Sequence, residues 1–337
     1  MIPLYSSFIK RKDMDTVLGC LVTDSIGPGD YTSKFIKNAK EAFGYEAAIA
    51  VRSPAIALQF ALVRSGLVRG DKVALSALAP LYHLETIENL GLEPAFIDHD
   101  PETCGIMLGE ARDKGCKAMI LHEALGLLPD AEELGELGMT IIEDMSPALG
   151  AYRAGIKAGF LGTFAIYALE QDSPVTTGGG ALLFTTVRRE STILRNLAET
   201  LTPESVLTDY NAALGIAQLK ELQASLERRA DLERRFRLEV AKTRHRCFSQ
   251  QEEGRMGSCS FPVLLETGMK EAIIHAKRNG IEALPAFERS IIGREDFPSN
   301  GCPGARALAL RCVLFPIHEK VGQKDALAIA RVLATLP

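Results

Sequence analysis

Between Glu46 and Phe184 the chain alternates short apolar runs with stretches of helical period: AAIAV, SPAIALQFALVRSG, KVALS, YHLETIENLG, PAFID, GEARDKG, AMILH, DAEELGELG and TIIED. Strand-length runs separated by helical segments predict βαβ units and a mainly parallel sheet. The runs are apolar throughout rather than alternating, as expected when helices cover both faces of a sheet. Two later runs, GTFAIYAL and GGGALLFTT, are also strand-like and complete a large α/β lobe. From Asn211 to about Arg244, Leu214, Ala217, Gln218, Leu222, Leu226 and Leu232 recur at roughly helical spacing beside many charges, which predicts one long helix leading out of that lobe. The remainder, SCSFPVLL, MKEAIIHAKRNG, ALALRCVLFPI and KDALAIARVLATL, alternates strand and helix again. Two lobes are expected, a large one over residues 1–240 and a smaller C-terminal α/β lobe over 241–337.

A chain of 337 residues, 47% hydrophobic and 24% charged, is long enough for two lobes with a sizeable core. The net charge of −5, with Lys and Arg scattered rather than clustered, gives no electrostatic footprint for nucleic acid or an anionic membrane. The expected partner is a small molecule or another protein. The start, MIPLYSSFIKRKD, has no basic segment leading into an apolar one, and no uncharged apolar run reaches the ~18 residues of a membrane span. A cytoplasmic location follows as the expectation. The seven cysteines are dispersed without CxxC spacing, so free thiols are expected and no metal site is read.

Several stretches, in order over nearly the whole chain, resemble one family. They are IPLYSSF; IGPGDYTSKFIKNAKEAFGYEAAIAVRSPAIALQFAL; GLVRGDKVALSAL; IIEDMSPALGAYRAGIKAGFLGTFAIYAL; NAALGIAQLKEL; and ALRCVLFPIHEKVGQKDALAIARVL. Each is weak alone, but their order and spacing are similar to the DegT/DnrJ/EryC1/StrS sugar aminotransferases that use pyridoxal phosphate (PLP). The resemblance implies a fold-type-I transferase, α/β, and a homodimer with active sites at the subunit interface. It also implies an enzyme acting on a nucleotide sugar, with PLP or its amine form pyridoxamine phosphate (PMP) as cofactor.

Carried over position by position, the cofactor pocket is degenerate. Asp144 matches the aspartate that pairs with the pyridine nitrogen, although on residue type alone it also reads as a helix cap. Ser53, Pro54 and Ala55 stand where the family has Ser-Gly-Thr at the phosphate. Proline there supplies no N–H and alanine no hydroxyl. Pro147 replaces a glutamine near the ring hydroxyl and Ala165 a phosphate serine. Glu204 falls near an asparagine that the partner subunit contributes. The Schiff-base lysine maps to Glu170 counting from FAIYAL, or near Asp172 counting back from GGGALLF, and no lysine occurs between Lys157 and Lys220. A carboxylate moves a proton but cannot form the aldimine. Histidine replaces this lysine in PMP-dependent sugar dehydratases, and none stands here.

His122 matches a family histidine and reads as structural. His83, beside Tyr82 where the family often stacks an aromatic on the ring, reads as a satisfied surface histidine. Gly178-Gly179-Gly180 reads as a close-approach turn, and Glu132, Glu133 and Glu136 as a solvated helix face. Two functions remain open. One is a pseudoenzyme or ligand-binding homodimer that has lost transamination. The other is a PLP- or PMP-dependent nucleotide-sugar aminotransferase or lyase with Glu170 or Asp172 as base.

Overall fold

The computed structural model describes residues 1–337 except Ser25, Gln251, Ser258 and Ser299. Strands β1 (Ala47–Val51), β2 (Lys72–Ser76), β3 (Glu93–Ile97), β4 (Ala118–His122) and β5 (Thr140–Asp144) come first. A two-residue pair follows, β6 (Tyr152–Arg153) and β7 (Ile156–Lys157), and then β8 (Phe164–Ala168) and β9 (Ala181–Thr185). Seven of these form one sheet in the order β1-β9-β8-β5-β4-β2-β3. The run from β8 to β3 is parallel, whereas β9 is antiparallel to both β8 and β1. The sheet is therefore mainly parallel, as the apolar runs predict, with one reversed strand.

The reversal has a local cause. A parallel return usually runs through a helix, and residues 169–180 carry β8 to β9 without one, ending in Gly178-Gly179-Gly180. All three glycines have positive φ, and a Cβ on Gly180 would lie 2.9 Å from the Val51 carbonyl oxygen. This is the close approach expected of that turn.

Helices α1 (Arg11–Val22) and α2 (Asp30–Phe43) precede the sheet. Helices α3 (Pro54–Arg64), α4 (Leu81–Asn89), α5 (Gly109–Asp113) and α6 (Ala131–Gly135) fill its crossovers, and α7 (Arg188–Thr200) follows β9. Helices α1 and α7 bury few side chains fully, α1 Asp13 and Cys20, and α7 Ser191 and Leu194.

The single long helix expected from Asn211 to Arg244 is two, α8 (Asp209–Leu219) and α9 (Leu222–Val240). The break falls at Lys220 and Glu221, whose carboxylate holds Lys10, 2.8 Å away, and Lys12. Helix α8 packs on α2, and a Cβ on Gly215 would meet the Phe35 ring at 2.5 Å. The far half of α9 turns to other work: Leu232, Phe236 and Val240 join the core of the C-terminal part of the chain.

That core is built on β10 (Arg246–Cys247), β12 (Phe261–Leu264), β13 (Leu284–Pro285) and β14 (Cys312–Phe315), antiparallel in the order β10-β12-β14-β13. Helices α10 (Met269–Arg278) and α12 (Gln323–Ala334) pack on it. Between β10 and β12 the chain returns to the first lobe, where β11 (Gly254–Arg255) pairs with β6. Ile2 bridges Ile281, so the first residues lie along the second sheet's side of the molecule. A third tie runs through Asp98, just past β3, whose carboxylate accepts the N–H groups of Gly304 at 3.0 Å and Ala305 at 2.7 Å. These open α11 (Pro303–Arg311), so an anion meets a helix N-terminus. Together these crossings hold Gly257, the segment 259–262 and the segment 286–290 over the ends of the parallel strands.

Candidate active site

Open α/β sheets bind ligands beyond the carboxyl ends of their parallel strands. There the structure has a cavity of about 410 Å³, within the range of small-molecule sites. Its walls include Leu78 after β2, His122 ending β4, Asp144 ending β5 and Ala168 ending β8, with Glu170 and Asp172 in the loop that follows. Tyr5, Cys259, Phe287 and Arg289 close it from the other side. Nothing in the sequence links these last four to Asp144, since they come from three further segments.

Asp144 is 1% exposed and its two oxygens are separately engaged. Oδ1 accepts from the Ser146 backbone at 3.1 Å and from its hydroxyl, and Ser146 Oγ in turn accepts from Ala168 N at 2.9 Å. Oδ2 accepts the Tyr82 hydroxyl at 3.1 Å and faces His122 Nδ1 at 3.1 Å and His83 Nε2 at 3.0 Å. Burial alone pushes a carboxyl up. Here the hydrogen bond from His122 and the close His83 ring outweigh burial and hold Asp144 well below the ordinary carboxylate range.

His83 is not the surface residue that its sequence context predicts. It is fully buried beneath Asp144, and burial lowers its pKa, so the ring is neutral. The reason is the face of α4 on which it sits, shared with buried Leu84 and Ile87. Its approach to Asp144 lies off the hydrogen-bond line, so neither ring nitrogen has an aligned partner. His122, 12% exposed, edges the cleft.

The other expected pocket positions divide. Pro54, Asp144, Pro147, Glu170 and Asp172 share the cleft wall. Ser53 caps α3, its Oγ accepting from Ile56 N at 3.3 Å, with Pro54 as the first helical residue. Ala55 is half-buried in that first turn and does not line the cavity. Ala165 is buried in β8 within the core under the sheet. Glu204 is exposed, beside the segment where Arg52 N donates to Ser205 O at 2.9 Å. Glu132, Glu133 and Glu136 are exposed along and just after α6, as expected of a solvated face. Burial and the charge of Asp172 raise the Glu170 carboxyl. Burial pushes the Cys259 thiol up to about 12, so it is no nucleophile at neutral pH.

PLP asks three things of such a cleft: a carboxylate at the pyridine nitrogen, an amine at the aldehyde and donors at the phosphate. Asp144 offers the first, already ringed by Tyr82, His83 and His122. No lysine is among the described lining residues, and three carboxylates there stand against Arg289 as the one guanidinium. Ser53 Oγ is committed to its own helix, and Pro54 has no N–H. The residues present do not fit the aldehyde or the dianionic phosphate.

Known proteins nevertheless match this chain over its length. A GDP-perosamine synthase of Caulobacter vibrioides is 25% identical over 352 residues, covering 96% of this chain and 94% of that protein. An Escherichia coli GDP-4-keto-6-deoxy-D-mannose-3-dehydratase with bound hydrated PLP shares the fold at a TM-score of 0.86 and 19% identity, with 99% of each chain covered. A Streptococcus pneumoniae protein in its PMP-form gives 0.90 at 17% identity, covering 100% of this chain and 99% of that one. Structural relatives of this fold thus bind PLP and PMP. The model of the DegT/DnrJ/EryC1/StrS aminotransferase family matches residues 8–334, so the chain belongs to that family.

Proposed function

We propose that this chain is a member of the sugar aminotransferase family that has given up lysine-based transamination and acts as a homodimer binding a small molecule, of the nucleotide-sugar class, in the Asp144 cleft. The observation that carries the reading is the lining itself: Glu170 and Asp172 where an amine is required, and no lysine among the described wall residues. Without the amine no covalent link to a carbonyl ligand forms, so the cleft is left with binding and proton transfer. Cavity size, apolar walls at Leu78, Leu125, Phe287 and Leu314, and a few converging polar groups are what a small-molecule site needs.

A second reading, a PLP- or PMP-dependent nucleotide-sugar aminotransferase or lyase, is supported by the activities of the relatives. One feature of the cleft also favours it: the raised carboxyl of Glu170 suits a general base. One experiment separates the two. The purified chain is mixed with PLP, its absorption recorded, and the mixture reduced with borohydride and digested for peptide mass spectrometry. The first reading expects no aldimine band and no pyridoxyl-labelled lysine. A stoichiometric labelled lysine in the wild-type chain overturns it. Glu170→Lys is expected to give no turnover either, because Ser53, Pro54 and Ala55 still leave the phosphate without its donors; robust transamination by that variant would show an intact pocket.

A further inference from the structure

We propose that His83, His122 and Asp144 form a site for a divalent transition-metal ion, with zinc as the best-suited ion, at the floor of the cleft. The inference rests on the reading that no pyridine ring takes the Asp144 carboxylate. Three ligand atoms converge: Asp144 Oδ2 lies 3.0 Å from His83 Nε2 and 3.1 Å from His122 Nδ1, and all three fall within 4.8 Å of one another. A metal bound at about 2.0–2.2 Å by nitrogen and carboxylate oxygen places neighbouring ligands roughly 3 Å apart, so little movement is needed to admit one.

A separate observation points the same way. His83 is fully buried, and both of its ring nitrogens lack a hydrogen-bond partner. Buried polar groups are nearly always satisfied, and one that is not calls for an explanation such as an ion. Asp144 is arranged as a one-oxygen ligand, since Ser146 holds Oδ1 from its backbone and hydroxyl and leaves Oδ2 toward the histidines. Tyr82 OH, 3.1 Å from Oδ2, sits as an outer hydrogen-bond donor to the ligating oxygen.

Two imidazoles and one carboxylate are the donor set of open catalytic zinc and non-haem iron sites, which leave positions for water or a ligand. The open side here faces the cavity that His122 and Asp144 line. A dication there would offset the negative charge of Asp144, Glu170 and Asp172. It would also supply an electrophilic contact for a ligand's carbonyl or phosphoryl oxygen.

The test uses the full chain, stripped with chelator and titrated with Zn²⁺ and, for its visible spectrum, Co²⁺. One Zn²⁺ per chain is expected, with a rise in melting temperature and a Co²⁺ spectrum of nitrogen and oxygen ligation. His122→Gln and His83→Gln should weaken uptake at least ~100-fold, since even outer-shell partners are worth 10–100-fold. His122, at the cleft edge, decides the matter if the His83 variant fails to fold. Uptake that survives His122→Gln, or no Zn²⁺ or Co²⁺ uptake by the wild type, overturns the site. The same stripped protein is mixed with PLP: a shifted PLP spectrum with no metal uptake would overturn both the site and the reading beneath it. A silent PLP spectrum with no metal uptake overturns the site alone.

Discussion

On β5 the neighbour of Asp144 points to the opposite face and carries a charge problem of its own. Glu143 is fully buried, and its carboxylate accepts the N–H groups of Gly159, at 2.5 Å, Leu161 at 2.8 Å and Gly162 at 3.2 Å. Glu123 is 1% exposed beside it, and neither of its oxygens has a donor. Two carboxylates cannot hydrogen-bond unless one keeps a proton. Burial and the adjacent Glu143 charge push Glu123 well above the ordinary carboxylate range, so it is the acid of the pair.

The unfolded chain releases that proton near the reference pH, so the folded state holds more protons once pH passes about 4.5. Stability from this group is complete below that value and is lost as pH rises toward the folded pKa, by about 1.4 kcal/mol per unit. Glu123→Gln puts a permanent N–H donor in nearly the same volume and removes the titration. Relative to wild type, the variant should gain little near pH 4.5 and progressively more as pH rises toward the folded pKa, with a limiting slope of about 1.4 kcal/mol per unit. Urea denaturation at a series of pH values, with unchanged m-value as the check on two-state behaviour, measures it. A stability difference that stays constant across that range would refute the shared proton.

Three further outcomes follow from other buried groups. His99, whose neutral ring donates from Nδ1 to the Cys104 carbonyl at 2.9 Å and accepts the Ser76 hydroxyl at Nε2 at 2.7 Å, is held by burial at about 4. Because the unfolded chain then binds more protons, roughly 3 kcal/mol should be lost as pH falls from about 6.5 to about 4, and His99→Gln should flatten that part of the urea profile. Arg229, 2% exposed, makes a two-pronged bond to Glu319 at 2.9 and 3.1 Å. Arg229→Ala leaves that carboxylate the Ser225 hydroxyl but no countercharge, and should cost about 3–5 kcal/mol in thermal or urea melts, whereas a cost under about 1 kcal/mol would show that Glu319 finds water. Gly304→Ala would bring a Cβ to 1.8 Å from the His99 carbonyl oxygen, and only backbone movement relieves that. The cost should reach roughly 3 kcal/mol or more, seen as a lowered melting temperature; a silent variant would mean that α11 is free to shift.

The parallel sheet was legible because its strands are continuous apolar runs, and a run such as AMILH has no other stable home than the middle of a covered sheet. What the pattern could not carry is direction and interruption. β9 is as apolar as β8 yet runs antiparallel to it, and apolarity alone does not say which way a strand runs. The break at Lys220 and Glu221 leaves helical periodicity intact on both sides, so the sequence reads through it. From its place at the end of TIIED, Asp144 was legible equally as a pocket residue and as a cap, and in the structure it lines the cleft while its Oδ1 accepts from Ser146 N. His83 was not, since the period of α4 leaves a polar residue on the buried face without saying what it meets. Tyr5, Cys259 and Arg289 reach the cleft through tertiary contacts between segments far apart in the chain, and no local signal marks them.

Retention of Asp144 therefore does not by itself argue for a retained cofactor. Remove the pyridine ring from the account and the aspartate is still needed, because Ser146, Tyr82 and His122 would lose their acceptor in a buried site, each at a cost of about 1–3 kcal/mol. The phosphate end also answers to the fold. Ser53 Oγ accepts from Ile56 N, Pro54 suits the first position of α3, and Ala165 fills the core beneath the sheet. The two ends of the cleft thus meet different physical demands. At one stands a carboxylate on which its buried neighbours depend, and at the other stand residues that favour the helix and the core.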